Sequence, residues 1–251
     1  MKMIVIVEQI PDPTQVRISR SRAEAITEKA ERIIAPNDKN ALEEALKLRD
    51  EHGVNVIVMA VGPPEVEDAL REAMAMGADQ AILLSDEAFA DLDASGTVAV
   101  LGRAIERLGD YELILTGSSS QIGPRLAERL GLPQITNARS LALNQGVIQA
   151  QRILLDGYVE VEADLPALVT IVPEANVPRL PPAPDIMDAY RERELTVWNA
   201  ADLDLDPEEL VPVIQVQRTF VPPEREPETL TGEPEEVAQD LVQRLKERGL
   251  L

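Results

Sequence analysis

Apolar and polar positions in the first 135 residues fall into two kinds of run. Met3–Val7, Val54–Val61, Ala81–Leu84 and Leu113–Thr116 are short and almost continuously apolar. Such runs predict strands buried on both faces. Between and after them lie stretches with helical spacing: Asn37–His52, Val66–Met76, Thr97–Leu108 and Ile122–Leu130. In the first, Ala41, Leu42, Ala45 and Leu48 share one face, and Asn37 or Asp38 stands where a cap is needed. Each stretch is followed by a glycine, namely Gly53, Gly77, Gly109 and Gly131. Strands alternating with helices predict right-handed βαβ units. The fold class is therefore α/β: a doubly wound, mostly parallel, Rossmann-like sheet.

After Asn137 the rhythm changes. LALNQGVIQAQRILLDGYVEVEA alternates along its length, and Asp156-Gly157 is a strong turn signal, so a β-hairpin extension is expected. Ala167–Val172 returns to an apolar strand. The segment PEANVPRLPPAPDIM is too rich in proline for regular sheet, and a short helix is expected at Asp185–Arg193. The tail holds one apolar stretch (Leu210–Val216), the segment PPEREPE and a final helix near Pro234–Arg248. With so little apolar content it reads as an arm lying on another surface. The expected division is 1–180, 181–194 and 195–251.

Composition narrows the chemistry. Hydrophobic residues make up 45% of the chain but aromatics only 2%, so the core is aliphatic and base stacking on aromatic platforms is not expected. A formal charge of −21 repels phosphate backbones and anionic lipid, which argues against nucleic-acid and membrane partners. With no cysteine, disulfides, thiolate nucleophiles and cysteine-held metals are excluded. The single histidine, His52, stands at the polar end of a helix beside Asp50 and Glu51, so no Ser-His-Asp set can be built. No catalytic or metal-binding residue is assigned. No apolar run is long enough to span a bilayer, and the opening MKMIVIVEQIPDP does not resemble a signal peptide; the expected compartment is the cytoplasm.

Neither GxGxxG nor GxxxxGK[ST] follows the first strand, where EQIPDP stands instead. Ligands of open parallel sheets nevertheless sit beyond the carboxyl ends of the strands. Three such ends carry suitable residues: Pro36-Asn37-Asp38, Val61-Gly62-Pro63 and Gly117-Ser118-Ser119-Ser120. The small residues there either cradle an anion at a helix start or simply cap the helix, and both readings stand.

The order of motifs resembles the beta (small) subunit family of electron-transfer flavoproteins. The similar blocks are QIPDP (Gln9–Pro13), NDKNALEEAL (Asn37–Leu46), AMGADQAILL (Ala75–Leu84) and, most specific, DLPALVTIVPEANVPRLPPAPDIMDA (Asp164–Ala189). The resemblance implies a heterodimer whose alpha subunit holds most of a redox FAD, with AMP as a structural ligand of the beta subunit. It places Ile6, Ala35, Pro36, Asn37, Asp38, Val61, Gly117, Ser118, Ser119, Ser120, Gln121, Ile122 and Gly123 at nucleotide-contacting positions, and Pro13 near the flavin-facing edge. It makes Ala183, Pro184, Asp185, Ile186 and Met187 the docking loop for a dehydrogenase donor, with a quinone-linked or other acceptor, and the C-terminal arm a wrap around the alpha subunit.

Two departures stand out. The loop after Gly117 is shorter than in typical members, which counts against a full phosphate cradle for AMP. It counts further against the second FAD of flavin-bifurcating members, whose pyrophosphate needs more donors. A leucine that several relatives place in the docking loop is here Ala183, and an absent leucine anchor forgoes about 1.5–3 kcal/mol of burial, which argues against the usual acyl-CoA dehydrogenase partners. A stand-alone nucleotide-binding regulator of the universal-stress type is the alternative. It leaves the docking segment and the arm without a purpose.

Overall fold

Alternate residues of the first strand face opposite helical layers, which is why its apolar run has no polar member. In a computed structural model describing residues 2–19, 24–214, 216–217, 220, 222 and 227–251, Met3 and Val5 pack into one apolar cluster and Ile4 and Ile6 into another. In chain order the elements are β1 (Lys2–Ile6), β2 (Gln9–Pro11), β3 (Arg17–Ser19), β4 (Glu24–Ile26), β5 (Arg32–Ile34), α1 (Pro36–His52), β6 (Asn55–Val61), α2 (Glu67–Met76), β7 (Gln80–Leu84) and α3 (Ala94–Leu108). There follow β8 (Leu113–Gly117), α4 (Ile122–Leu130), β9 (Gln134–Asn144), β10 (Val147–Leu154), β11 (Gly157–Asp164), β12 (Ala167–Ile171), α5 (Ala183–Arg191), β13 (Thr196–Trp198) and α6 (Pro234–Glu247).

The main sheet runs β11-β10-β9-β12-β8-β1-β6-β7-β13. From β9 through β12, β8, β1, β6 and β7 to β13 every pair is parallel, whereas β9-β10 and β10-β11 are antiparallel. The α/β reading therefore holds. The chain moves outward from β1 to β6 and β7, then returns to β8 on the other side of β1. The strand order reverses between β1 and β8, and open α/β sheets take their ligands at such a point, beyond the carboxyl ends of the strands.

Three details differ from the sequence reading. Neither Asn37 nor Asp38 caps α1: the N-cap is Ala35, without a side-chain bond, and Pro36 fills the first turn. The change of rhythm at Asn137 is a bulge inside one long strand, not a strand end. Asn137 takes a positive φ of 58°, its N–H donates to Thr170 Oγ1 at 2.9 Å, and β9 passes there from pairing with β12 to pairing with β10. Asparagine tolerates that left-handed conformation better than most residues. Finally, the short ribbons β2-β5 and β3-β4, and the edge strand β13, carry too few residues to show a period.

β13 closes the sheet beside β7, with Trp198 near its end and the Arg107 guanidinium 5.3 Å from its ring. The described residues form two compact units, Met1–Arg17 with Ile26–Gln217, and Ile18–Ala25 with Arg218–Leu251. In the second, Arg244 pairs with Glu228, and Arg248 reaches the same carboxylate at 3.1 Å.

Candidate functional site at the switch point

Asp38 organises the switch point. It lies in the first turn of α1 and is buried, and its carboxylate takes one amide from the segment just past β1 and one from the end of β8. Oδ2 accepts the N–H of Glu8 at 2.8 Å and Oδ1 that of Gly117 at 2.9 Å. Burial pushes its pKa up to about 7, and the nearby Glu8 charge adds to the rise; the amides of Glu8 and Gly117 oppose it. Glycine is required at 117: a Cβ there would stand 2.5 Å from Asp38 Oδ1 and 2.8 Å from the Asn37 carbonyl carbon. Gly123 serves the neighbouring contact, since a Cβ would lie 2.5 Å from Thr116 Oγ1 and hold α4 off the sheet.

The serines after Gly117 divide their work. Ser118 N–H donates to the Ile171 carbonyl at 2.9 Å, and its hydroxyl accepts from Asn37 Nδ2 at 3.4 Å. The N-cap of α4 is Gln121, without a side-chain cap bond; one position ahead of it, Ser120 Oγ accepts the Ile122 N–H at 3.2 Å, and its hydroxyl donates to Glu8 Oε1 at 3.3 Å. Ser119 and Gln121 are exposed, and Arg125 reaches Gln121 Oε1 at 3.2 Å. Gln9 places a buried Oε1 without a partner beside this end of β1, while its Nε2 donates to the Glu65 carbonyl at 3.1 Å.

Of the sequence-assigned positions, the structure brings Asn37, Asp38, Gly117, Ser118 and Ser120 into one hydrogen-bonded set. Ala35 joins it through its N–H to the Glu8 carbonyl at 2.8 Å, with Pro36 exposed beside it. Ile6, Ile122 and Gly123 are buried behind it, and Val61 ends β6 nearby in sequence register. Pro13 lies outside the set, exposed in a turn that Asp12 holds by accepting from Thr14 N–H at 2.8 Å. Ala183, Pro184, Asp185, Ile186 and Met187 form the exposed start of α5, and only Ala189 of that helix is buried. Among the described residues no group of acidic or histidine side chains could hold a metal ion, and His52 is exposed beside Glu51.

Sequence reasoning missed the strap that leads to α5. Asn40 and Asn176 bond reciprocally: Asn40 Nδ2 donates to Asn176 Oδ1 at 2.9 Å, and Asn176 Nδ2 donates to the Asn40 carbonyl and to Glu44 Oε1, both at 2.9 Å. Glu43 receives the Arg179 backbone N–H at 3.0 Å and its guanidinium at 2.9 Å, and Asp50 pairs with the same guanidinium. Asn40, Glu43 and Glu44 are each 5% exposed. The signal was present: three polar residues at helical spacing border the apolar face of α1, and Asn-Val-Pro-Arg stands alone in the proline-rich segment. Two of the blocks that carry the resemblance are thus in contact with each other.

Comparison with known proteins gives the family. The family profile of the electron transfer flavoprotein domain matches residues 24–203. The chain is 39% identical to the electron transfer flavoprotein subunit beta of Thermoanaerobacterium thermosaccharolyticum across the whole of both chains. It is equally similar, over the same share, to subunit CarD of the caffeyl-CoA reductase-Etf complex of Acetobacterium woodii. The subunit beta of Bacillus subtilis is 35% identical over 98% of each chain.

Proposed function

The chain belongs to the electron transfer flavoprotein family and is an electron-transfer subunit of the beta type, and we propose that it works in a heterodimer whose alpha-type partner holds most of an FAD. The match over full length carries this reading, and nothing in it favours a stand-alone regulator. When bound, the flavin supplies the redox chemistry. This chain supplies position, which suits the absence of a conventional catalytic set in its sequence.

The switch-point crevice is the proposed seat of an adenine nucleotide. The residues fit such a group in two respects. The buried, unpartnered Gln9 Oε1 needs a donor, which an exocyclic amine or a ribose hydroxyl offers. The exposed Ser119 and the Arg125 side chain offer a hydroxyl and a positive charge at the start of α4 for a single phosphate. Arg125 is the only cation in the set just described, against the carboxylates of Glu8 and Asp38, so AMP suits the crevice better than a pyrophosphate.

The exposed start of α5, held by the Asn176–Arg179 strap, is the proposed docking surface for a flavoprotein dehydrogenase or reductase. Relatives named as a subunit of a caffeyl-CoA reductase-Etf complex and as an acryloyl-CoA reductase electron transfer subunit support that class of partner. Such docking is weak and fast, and the acidic surface favours a basic patch opposite.

The test is to produce the chain with its alpha-type partner, purify the complex and release its ligands with acid. One FAD and one AMP per heterodimer are expected. Two FAD would replace AMP by flavin in the crevice. A colourless, self-sufficient single chain would overturn the proposal.

A further inference from the structure

Asp93 gathers four backbone amides on one carboxylate. Oδ1 accepts the N–H groups of Ser95 and Gly96 at 2.9 and 3.0 Å, which caps α3. Oδ2 accepts those of Val213 and Ile214 at 2.9 and 3.0 Å. These amides, that of Gly96 first, hold its carboxyl below the ordinary carboxylate value. One oxygen thus serves a helix, and the other serves a segment about 120 residues further along the chain.

That segment is the end of the first compact unit, which closes at Gln217. Its approach is also fixed: Glu209 bonds Arg129 at 2.9 Å, and Asp206 accepts the Glu208 N–H at 2.9 Å. The side chains it carries are not satisfied in the same way. Val211, Val213, Ile214 and Val216 are 62%, 75%, 56% and 78% exposed. A run of apolar side chains turned outward, with its backbone held down by a charged acceptor, is an unusual use of ordering. Two charge-assisted bonds restrict the backbone while the side chains stay exposed.

We propose that Asp93 is a positioning residue for subunit assembly: it fixes the backbone at Val213 and Ile214, so that the exposed valines and isoleucine are pre-ordered against the alpha-type partner. This rests on the heterodimer reading above. Ordering the segment before contact removes part of the entropy that association otherwise loses.

Asp93→Asn separates the two roles. Asparagine caps a helix as well as aspartate does, but it has one acceptor oxygen in place of two. Whichever way its amide turns, one pair of N–H donors faces an NH2 group. The helix cap sits within its own chain neighbourhood, so the distant pair is the one expected to be lost.

Two measurements on the full chain decide the matter. In hydrogen exchange, the peptide containing Val213 and Ile214 should be protected in the wild type and unprotected in Asp93→Asn, with α3 peptides unchanged. Asp93→Ala, which removes the cap too, should expose both regions. With the co-produced alpha-type partner, the dissociation constant should rise about tenfold in Asp93→Asn, equivalent to about 1.4 kcal/mol, while FAD per assembled heterodimer stays constant. Equal protection at Val213 and Ile214 in wild type and variant overturns the anchor. Lost protection with an unchanged dissociation constant overturns its part in assembly. A wild type that forms no heterodimer sinks the subunit reading itself, and the assembly role with it, whereas the exchange result still judges the anchor.

Discussion

Two stretches of α1 bury polar groups to nearly the same extent and resolve them in opposite ways. In the first turn, Asp38 is 4% exposed and meets only backbone amides, beside another carboxylate. Midway along, Glu43 is 5% exposed and meets the Arg179 guanidinium together with an amide. The first arrangement ties three strand and helix ends together but leaves its charge uncompensated, so its pKa rises. The second neutralises its charge and fixes a remote segment. Burial alone therefore says little about a carboxylate; what it faces decides whether it joins backbone or holds a remote segment.

The contrast can be broken at its tightest point first. Gly117→Val places methyl groups where Asp38 Oδ1 and Asn37 already stand. It should cost about 3 kcal/mol, at the upper end of overpacking effects, in chemical denaturation. Glu43→Ala should cost about 2 kcal/mol, because it leaves the Arg179 amide and a guanidinium one-third exposed without their main acceptor. The same variant should speed tryptic cleavage after Arg179.

The pH dependence sharpens the comparison. The Asp38 pKa is raised in the folded state, from 3.8 to about 7, so the native protein binds the proton more tightly than the unfolded chain does. Its contribution to stability is largest below pH 4 and falls as pH rises to about 7. Relative to Asp38→Asn, which does not titrate, the wild type should lose roughly 1–2 kcal/mol between pH 5 and pH 7. A pH-independent difference would mean that the carboxylate is ionised throughout. Smallest of all, Lys39→Ala removes the part-exposed pair with Glu72 and should change stability by no more than about 0.5 kcal/mol.

The parallel core was legible because both faces of β1, β6 and β8 are buried, which leaves an unbroken apolar run in each. The carboxyl ends of these strands were legible for the same reason: they are marked by glycine and small polar residues. What those residues touch was not. Asp38 looks like a helix cap in one dimension. Only the return of β8 alongside β1 brings Gly117 within its reach, and the sequence does not display a separation of 79 residues. The strap was missed for a related reason, although its polar residues were in view. Asn40 and Glu43 look like the solvated side of an amphipathic helix until Asn176 and Arg179 are laid across them, and β13 was invisible because three half-exposed residues carry no period.

Trp198 gives the molecule a built-in optical probe. In a chain with one indole and three tyrosines, emission excited at the long-wavelength edge of the indole band comes chiefly from this ring, at the last strand of the sheet. Detachment of that border would shift its emission toward longer wavelengths, and a yellow prosthetic group arriving within energy-transfer range would dim it. Spectral position and brightness would thus report edge integrity and flavin loading separately, with no label attached.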